Sequence, residues 1–388
     1  MYIFLEILFF IFSFLVFWAI IGYPFSLKIL DKLLTKNELP KNYNYQPTIT
    51  ILIVAHNEES VIKEKLENVS RINYPKEKLE ILISSDNSTD TTNEIVEDFI
   101  VNNQDKNIRI YKAKNRKGKT NAQNEAVRTI KSELIVFTDA NAMLDKNACI
   151  ELAAAFYDES IAYVTGKLCY TNRDIDLASE SESSYWDLDL ALRDIESRFQ
   201  TITAGNGALY ACKRKDYVEF DPIKSHDSSM PLYYSLNNKN AIANHDALAF
   251  EKAGENIKDE FNRKVRMSRI ILASILPSLK ILNVFRYKWF TYFYLGHRTS
   301  RYLLWFSHIM VLLLNMILIN ESSIYVITFG FQLVFYTIAV LRRFFYINNR
   351  FINMIYYYCM TLYAQIVGVM KVITGKAKPT WEKAGSTR

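Results

Sequence analysis

The stretch SELIVFTDANAMLD, residues 132–145, joins an apolar segment to the polar tripeptide Asp139, Ala140 and Asn141. The apolar segment predicts a β-strand, and the polar residues predict a turn at its carboxyl end. Ligands bind at that edge of open α/β sheets, and Mg²⁺ or Mn²⁺ on a diphosphate needs only one or two protein carboxylates. By itself the tripeptide is more typical of a turn in which Asp139 or Asn141 bonds to the local backbone. The surrounding sequence decides between the two interpretations.

Apolar segments upstream predict the rest of a sheet. With the segment above they give strands over 48–55, 79–84, 108–113 and 134–138, separated by helices over 60–69, 90–102 and 121–130. Alternating strands and helices predict an α/β fold with a doubly wound, mostly parallel sheet. Thr89 is expected to cap the helix that begins at Asp90.

Polar residues follow three of these strands at the point where each strand ends. The clusters are Asn57 with Glu58, Asp86 with Asn87, and Asp139 with Asn141. Because parallel strands end at one edge of a sheet, the clusters describe a cleft with acceptors for a base or ribose and oxygens for a metal. The basic turn at 114–119 adds positive charge for a diphosphate, although a solvent-exposed turn explains its lysines equally well. The sequence contains no GxGxxG or GxxxxGK[ST] motif, so dinucleotide-binding and P-loop mechanisms have no support.

Apolar and charged residues occupy different parts of the chain. Hydrophobic residues make up 50% of the 388 residues and charged residues 23%. Four uncharged segments are long enough to cross a hydrocarbon core of about 30 Å: residues 7–27, 302–320, 324–341 and 352–370. The sequence therefore predicts an uncleaved anchor over 1–30, a large domain over 31–255, interfacial amphipathic helices over 256–300, transmembrane helices over 301–373 and a basic tail over 374–388.

The lysines and arginines predict the orientation in an inner or plasma membrane. The lysine-rich segment 28–47 and the arginines Arg342, Arg343 and Arg350 are expected on the cytoplasmic side. Residues 28–300 are then cytoplasmic. Four full crossings would export residues 371–388, whose basic charge favours the inside, so either the last segment is re-entrant or the rule fails there.

Cysteine spacing and net charge exclude other classes. Cys149, Cys169, Cys212 and Cys359 show no metal-ligand spacing and are expected to be reduced, buried thiols. The net charge of +6 suits a protein that faces anionic lipid or phosphorylated substrates. It is not the footprint of a nucleic-acid partner.

Motifs in a fixed order resemble inverting family 2 glycosyltransferases of the GT-A fold, in the membrane-embedded branch of cellulose, hyaluronan and poly-N-acetylglucosamine synthases. They are AHNE at 55–58, SDNSTD at 85–90, RKGK at 116–119, DAN at 139–141, GNGALY at 205–210 and the amphipathic EFNRKVRMSR at 260–269. Each motif is weak, but the ordered set is specific and covers nearly the whole chain. The resemblance implies a cytoplasmic GT-A catalytic domain over 31–255 that uses a UDP-sugar with Mg²⁺ or Mn²⁺.

The resemblance also implies roles for individual residues. The implied nucleotide-sugar contacts are Ala55, Asn57, Glu58, Asp86, Lys119, Asp139, Ala140, Arg298 and Arg301. The implied metal ligands are Asp139 and Asn141, and the implied acceptor contacts are Gly205, Asn206 and Tyr302. Asp227 would be the base that deprotonates the acceptor hydroxyl.

The sequence departs from the family pattern at three places. Asn141 replaces the second acid of the metal motif, and His226 replaces an acid beside Asp227. Arg298 to Tyr302 replaces a QxxRW motif, so Arg301 either stabilises the leaving diphosphate or, with Arg298, anchors lipid headgroups. The alternative for Asp227 is a helix N-cap.

Three functions remain open at this level. The first is sugar transfer to a growing β-linked polysaccharide at the inner membrane face, with a second copy or an export subunit as a possible partner. The second is transfer of a single sugar to a lipid-linked acceptor, for which an anchor and an interfacial helix over 260–269 against membrane lipid are enough. The third is an inactive membrane scaffold that retains the fold, motivated by the departures from the motifs.

Overall fold

The computed structural model describes residues 2–34, 41–172, 177–254, 256–345, 347 and 349–380, and for 177–185 it describes the backbone only. The end of the basic tail and part of the segment 28–47 lie outside the described residues. Within them, strands form one sheet: β1 (Ile49–Ala55), β2 (Leu79–Ser85), β3 (Ile108–Lys112), β4 (Leu134–Asp139), β5 (Met143–Leu144), β6 (Ile161–Tyr170), β7 (Leu209–Lys213) and β8 (Asn240–Glu251). Each of the four predicted strands is confirmed to within one residue at either end.

The sheet runs in the order β3-β2-β1-β4-β7-β6-β8-β5. β1, β2, β3 and β4 are mutually parallel neighbours, as expected. The second half differs, because β7 runs antiparallel between β4 and β6, and β8 returns parallel to β6. All seven residues of β1 are buried, since hydrophobic clusters cover the sheet on both faces.

Helices pack on both faces of the sheet and lead to the membrane-facing part. The first are α1 (Tyr2–Phe17), α2 (Tyr23–Leu33), α3 (Ile62–Val69), α4 (Thr92–Asn102), α5 (Lys119–Val127), α6 (Ala148–Ala155), α7 (Leu177–Phe199), α8 (His226–Leu236) and α9 (Ile257–Met267). The predicted cap at Thr89 is wrong. α4 begins two residues later than expected because Asp90 accepts the amide of Thr92 at 3.0 Å, whereas the Thr89 amide donates to Asn57 at 2.8 Å.

The C-terminal helices are α10 (Ile271–Ser274), α11 (Val284–Tyr287), α12 (Trp289–Phe293), α13 (Ser300–Tyr302), α14 (Leu304–Leu318), α15 (Ser323–Phe344) and α16 (Arg350–Ile373). Among the described residues, two helical segments are long and apolar enough to cross a membrane, Tyr2–Leu33 and Ser323–Phe344. A third crossing exists if Trp289–Tyr302 and Leu304–Leu318, which meet at a 60° bend, form one broken span. The prediction of four spans is therefore corrected to two or three.

α16 is the predicted span that does not qualify, because tyrosines and amides interrupt its apolar surface. It packs against α9 so closely that a Cβ on Gly368 would lie 2.7 Å from the Val265 carbonyl oxygen. Glu260 of α9 accepts a hydrogen bond from Tyr357 at 2.9 Å. The chain then reaches Arg269, which donates to the Lys378 carbonyl at 2.8 Å. A Cβ built on Gly118 would lie 2.7 Å from the Pro379 carbonyl oxygen, so the described tail also contacts the domain that carries the polar strand ends.

Candidate functional site

The polar clusters lie on one edge of the sheet because β2 and β4 flank β1. Asn57 and Asn87 have positive φ angles of 54° and 55°, a conformation that asparagine tolerates better than most residues, and both strands turn sharply there. The Ala55 carbonyl accepts the Asp86 amide at 2.8 Å. This bond joins the first two clusters into one rim.

Buried contacts support the cluster Ala55–Glu58. Glu58 is 2% exposed, and its amide donates to the Thr92 hydroxyl at 2.8 Å. Ala55 and Ala140 are buried in the core. The structure therefore places Ala55, Glu58 and Ala140 as supports of the rim, and their contact with a nucleotide stays a prediction.

Asp86 shapes the basic turn. Its carboxylate is fully buried and accepts the backbone amides of Lys117 and Gly118 at 3.1 and 2.9 Å. Gly118 has φ 97°, which an L side chain rarely adopts. This turn starts α5 and directs Lys119 toward the end of β4.

Lys119, Asp139 and Asp227 converge on Gly207. Lys119 forms an ion pair with Asp139. A Cβ built on Gly207 would lie 3.3 Å from Lys119 Nζ, 3.6 Å from Asp139 Oδ2 and 4.0 Å from Asp227 Cγ. The glycine therefore leaves an open space that a cation and two carboxylates surround. The tertiary structure brings together residues that are 108 positions apart in the sequence, since 227 minus 119 is 108.

Asp227 belongs to the first turn of α8, and Ser225 is the N-cap residue. The alternative interpretation of Asp227 as the helix N-cap is thus wrong. Its backbone carbonyl accepts the Gly205 amide at 2.8 Å. Gly205 has no room for a side chain, because a Cβ there would lie 1.8 Å from the Tyr163 hydroxyl.

Asn206 is 2% exposed and bonds to the local backbone on both sides. Its amide nitrogen donates to the Gly166 carbonyl at 2.7 Å, and its oxygen accepts the Leu209 amide at 3.1 Å. These bonds hold the loop that carries Gly205 and Gly207. The predicted contact of Gly205 and Asn206 with an acceptor stays a prediction.

His226 is a buried structural residue beside Asp227. Its ring nitrogens lie 2.8 Å from the Gln123 side-chain oxygen and 2.8 Å from the Tyr217 hydroxyl. Burial, with a smaller contribution from Lys119, lowers the pKa of His226 to about 3. The ring is therefore neutral at physiological pH and fixes the start of α8.

Arg301 belongs to a buried ionic cluster at the junction with the membrane-facing helices, which we call the junction cluster. Its members are Tyr23, Asp189, Arg193, Glu196, His297 and Arg301. Asp189 contacts Arg301 at 2.5 Å, Arg193 at 2.5 Å and His297 at 2.9 Å. Burial would raise the pKa of Asp189, but its interactions with Arg193, His297 and Arg301 hold that pKa well below the usual value.

The junction cluster reaches the loop under the site. Arg193 donates to the Gly205 carbonyl at 2.8 Å, and Tyr23 of the N-terminal helix donates to Glu196 at 2.6 Å. The Arg298 guanidinium stacks on the Tyr302 ring, 4.9 Å from its centroid. The structure thus places Arg301 in an ion pair with α7, and its predicted contact with the diphosphate stays a prediction.

Asn141 donates its amide to Glu251 at 2.7 Å. Below the same turn lies Lys65, which is completely buried and donates to the Thr138 hydroxyl at 2.9 Å and to the Ala142 carbonyl. Burial lowers the pKa of Lys65 to about 7, against the opposing charges of Asp139, Cys149 and Glu251. Asn68 of the same helix accepts the Leu144 amide at 2.8 Å.

The donor set fits a hard divalent cation. Asp139 offers a carboxylate and Asn141 an amide oxygen, both ligand types that Mg²⁺ and Mn²⁺ accept. The space beside Gly207 lies between Asp139 and the polar loop. Asp139 and Asn141 are therefore the residues that would hold such an ion, and a diphosphate would complete its coordination.

Sequence reasoning missed Lys65, Glu251 and the junction cluster. Lys65 had a signal, because it occupies the apolar stripe of α3 with Ile62, Leu66 and Val69. Asp189, Arg193 and Glu196 share a face of α7 at helical spacing, but such a charge pattern is typical of a solvated helix. Nothing near Glu251 in the sequence indicates that β8 ends beside Asn141.

Comparison with known families identifies the domain. Residues 50–217 match the family described as Glycosyl transferase family 2. The match includes all three polar clusters and the turn with Lys119, and it ends before Asp227. This part of the chain is a family 2 glycosyltransferase domain.

Curated relatives match the same region. A probable glycosyltransferase YdaM of Bacillus subtilis is 34% identical over 142 residues, which are 35% of this chain and 34% of that protein. A poly-beta-1,6-N-acetyl-D-glucosamine synthase of Staphylococcus epidermidis is 30% identical over 149 residues, 38% of this chain and 35% of that protein. A beta-monoglucosyldiacylglycerol synthase of Nostoc is 25% identical over 156 residues, 39% and 33% of the two chains. The matched region spans about a third of each relative.

One solved structure matches the whole architecture. The mannosyltransferase PcManGT of Pyrobaculum calidifontis, solved with GDP-Man and Mn²⁺, aligns with a TM-score of 0.72 over 96% of this chain and 99% of that one. The sequences are 18% identical. The likeness confirms the GT-A fold of the catalytic domain.

Proposed function

We propose that this chain, whose residues 50–217 form a family 2 glycosyltransferase domain, transfers a sugar with inversion from a UDP-sugar to an acceptor hydroxyl at the inner membrane face. The observation that carries the proposal is the convergence of Lys119, Asp139 and Asp227 on the space beside Gly207. A cation, a candidate metal ligand and a candidate base surround one opening. This is the set that inverting transfer from a nucleotide-sugar requires.

The donor end consists of Lys119, Asp139 and Asn141. A divalent cation held by Asp139 and Asn141 would neutralise the diphosphate and stabilise it as the leaving group. Lys119 would exchange its bond to Asp139 for a charge-assisted bond to phosphate. Asp86 keeps Lys119 in place through its bonds to the preceding turn.

Asp227 would act on the acceptor. Its carboxylate would take the proton of the acceptor hydroxyl as that oxygen attacks the anomeric carbon and the bond to the diphosphate breaks. The bond from Gly205 to the Asp227 carbonyl and the neutral His226 ring fix the backbone that carries this carboxylate. The neutral ring cannot compete for the proton at physiological pH, since its pKa is lowered to about 3.

The acceptor side would lie toward the membrane. Buried polar atoms without a hydrogen-bond partner among the described residues include Thr203 Oγ1, Arg193 Nε and Arg298 Nε. Such atoms are costly unless a polar ligand satisfies them, and hydroxyl groups of a glycan meet that need. The contact of the described tail with Arg269 supports a tail on the cytoplasmic side, which two crossings after the domain would give.

The experiment compares UDP release in membranes that contain wild-type protein, Asp227→Asn or Asp139→Asn, over a panel of UDP-sugars with Mn²⁺ or Mg²⁺. We expect one donor to be turned over and both variants to lose about a hundredfold or more of the rate. Full activity in either variant would contradict its assigned role. Retention of all cellular function by both variants would instead support an inactive scaffold.

The relatives support two acceptors. The synthase of S. epidermidis supports a growing β-linked polysaccharide, and the synthase of Nostoc supports a lipid acceptor. We propose the polysaccharide, with the lipid acceptor as the second candidate. Product length with a radiolabelled donor separates them, because addition of one sugar only would exclude a polymerase.

A further inference from the structure

We infer that Glu251 supplies the second carboxylate of the metal site, in place of the acid that the sequence lacks at Asn141. The inference rests on the proposed function, because it concerns the ion that would accompany the donor. It assigns a ligand role to a residue 110 positions away from Asn141, since 251 minus 141 is 110. No part of the DAN motif indicates it.

The sheet places Glu251 beside the turn. β5 pairs antiparallel with the end of β8, with Met143 opposite Phe250 and Leu144 opposite Ala249. The same register continued by one residue puts Glu251 opposite Ala142. From that position Glu251 Oε1 lies 2.7 Å from the side-chain nitrogen of Asn141.

The hydrogen bond orients both groups. Asn141 donates its nitrogen to Glu251, so its oxygen is directed away from that carboxylate. The Glu251 carboxylate accepts a hydrogen bond from Asn141, the residue that replaces the second acid of the metal motif. Hard cations accept both oxygen types.

The lysines around the turn favour a second anion there. Asp139 is paired with Lys119 and lies above the buried Lys65. The charges of Asp139 and Glu251 both favour the protonated form of Lys65, against a larger effect of burial that lowers its pKa to about 7. Both carboxylates are therefore close to the same ammonium group. With Glu251, two carboxylates lie at the turn over 139–142 itself, in addition to Asp227 on the far side of the opening.

The test measures Mn²⁺ binding by electron paramagnetic resonance on the purified full-length protein with UDP. We expect Glu251→Gln to weaken Mn²⁺ binding about tenfold or more, which is the loss of affinity typical when a residue that supports a metal site is mutated. The double variant Glu251→Gln with Asn141→Asp has its carboxylate at position 141 instead of position 251. We expect it to bind Mn²⁺ within about threefold of the wild-type affinity. Glu151→Gln is the matched control, because Glu151 pairs with Lys41 away from the turn, and its binding should be unchanged.

Wild-type binding in Glu251→Gln would overturn the inference, and so would a loss that Asn141→Asp fails to restore. Asp139→Asn in the same assay separates this from the proposed function. Normal Mn²⁺ binding by Asp139→Asn would contradict the proposed donor site itself. Weaker Mn²⁺ binding by Asp139→Asn together with normal binding by Glu251→Gln would contradict only the role of Glu251.

A second variant keeps the inference testable if Glu251→Gln does not fold. Asn141→Asp alone sets two carboxylates against each other, and Mn²⁺ should relieve their repulsion. We expect the Mn²⁺-induced rise in unfolding temperature to be larger in Asn141→Asp than in wild type. An equal or smaller rise would overturn the assignment of Glu251.

Discussion

The ion pair of Lys119 and Asp139 at the sheet edge, here called the rim, differs from the junction cluster in how far its charges are exposed. At the rim, the side chains of Lys119 and Asp139 are 30% and 32% exposed, so water or a ligand can replace either partner. In the junction cluster, Asp189, Glu196 and His297 are at most 4% exposed. Exposed pairs contribute little to stability, whereas a buried charge that loses its partner is costly. The rim is therefore suited to exchange, and the junction cluster to holding helices together.

The contrast changes the interpretation of the arginines near the membrane. From the sequence, Arg301 is predicted to be a diphosphate ligand, with a headgroup anchor as the alternative. The structure joins it to Asp189 at 2.5 Å, and the same carboxylate contacts Arg193, which holds Gly205. Arg301 is thus linked through Asp189 and Arg193 to the loop that carries Gly205 and Gly207, and its direct contact with the donor stays a prediction.

The largest expected effect is on folding. Asp189→Ala leaves Arg193, His297 and Arg301 without their shared anion, and we expect a loss of about 3–5 kcal/mol in the free energy of unfolding. Glu219→Ala is the control, because Glu219 and Arg128 form a pair with side chains 46% and 64% exposed and should lose under about 1 kcal/mol. Denaturant unfolding in detergent measures both. Similar losses in the two variants would remove the distinction between buried and exposed pairs.

Acid should unfold the protein partly through His226. The unfolded ring binds a proton below a pKa of about 6.5, whereas the folded ring stays neutral until its pKa of about 3. Between these values the unfolded state binds more protons, so stability falls as the pH falls, by about 3 kcal/mol between pH 6.5 and pH 4. The free energy of unfolding should fall more steeply between pH 7 and pH 4 for wild type than for His226→Gln. Parallel curves would contradict the buried neutral ring.

Lys119→Gln should affect the donor and spare the fold. We expect the KM for the nucleotide-sugar to rise about tenfold, since one charge-assisted bond to phosphate is lost. Lys117→Gln is the control on the same turn, because only the backbone of Lys117 contacts Asp86. Steady-state kinetics and thermal unfolding separate the effects. A stability loss as large as that of Asp189→Ala would place Lys119 among the structural charges.

Gly207→Ala should give the smallest effect. The added methyl group enters the opening 3.3 Å from Lys119 Nζ, and the flexible lysine can move aside at the expense of its contact with the donor. We expect donor affinity to fall a few-fold, with an unfolding temperature close to that of wild type. Unchanged affinity measured by calorimetry would mean that the donor does not use this opening.

The first half of the sheet and the edge where the site lies could both be predicted from local sequence patterns. Strand periodicity and length are local properties, and parallel neighbours end at the same edge, so β1 to β4 and their polar ends could be predicted. The spans could be predicted only in part. α16 has the length of a span, but its tyrosines and its packing on α9 outweigh that length.

The partners of the charged residues follow from the fold and could not be predicted from the sequence. Lys65, Glu251 and Asp189 meet partners that are distant in sequence, and a charged residue in a helix or at a strand end gives the same local signal whether it is solvated or buried. The antiparallel entry of β7 and the register of β5 with β8 set these encounters. Lys119, Asp139, Asn141 and Asp227 are therefore candidates from the sequence, while the fold brings Lys119 and Asp227 to Asp139 and Glu251 to Asn141.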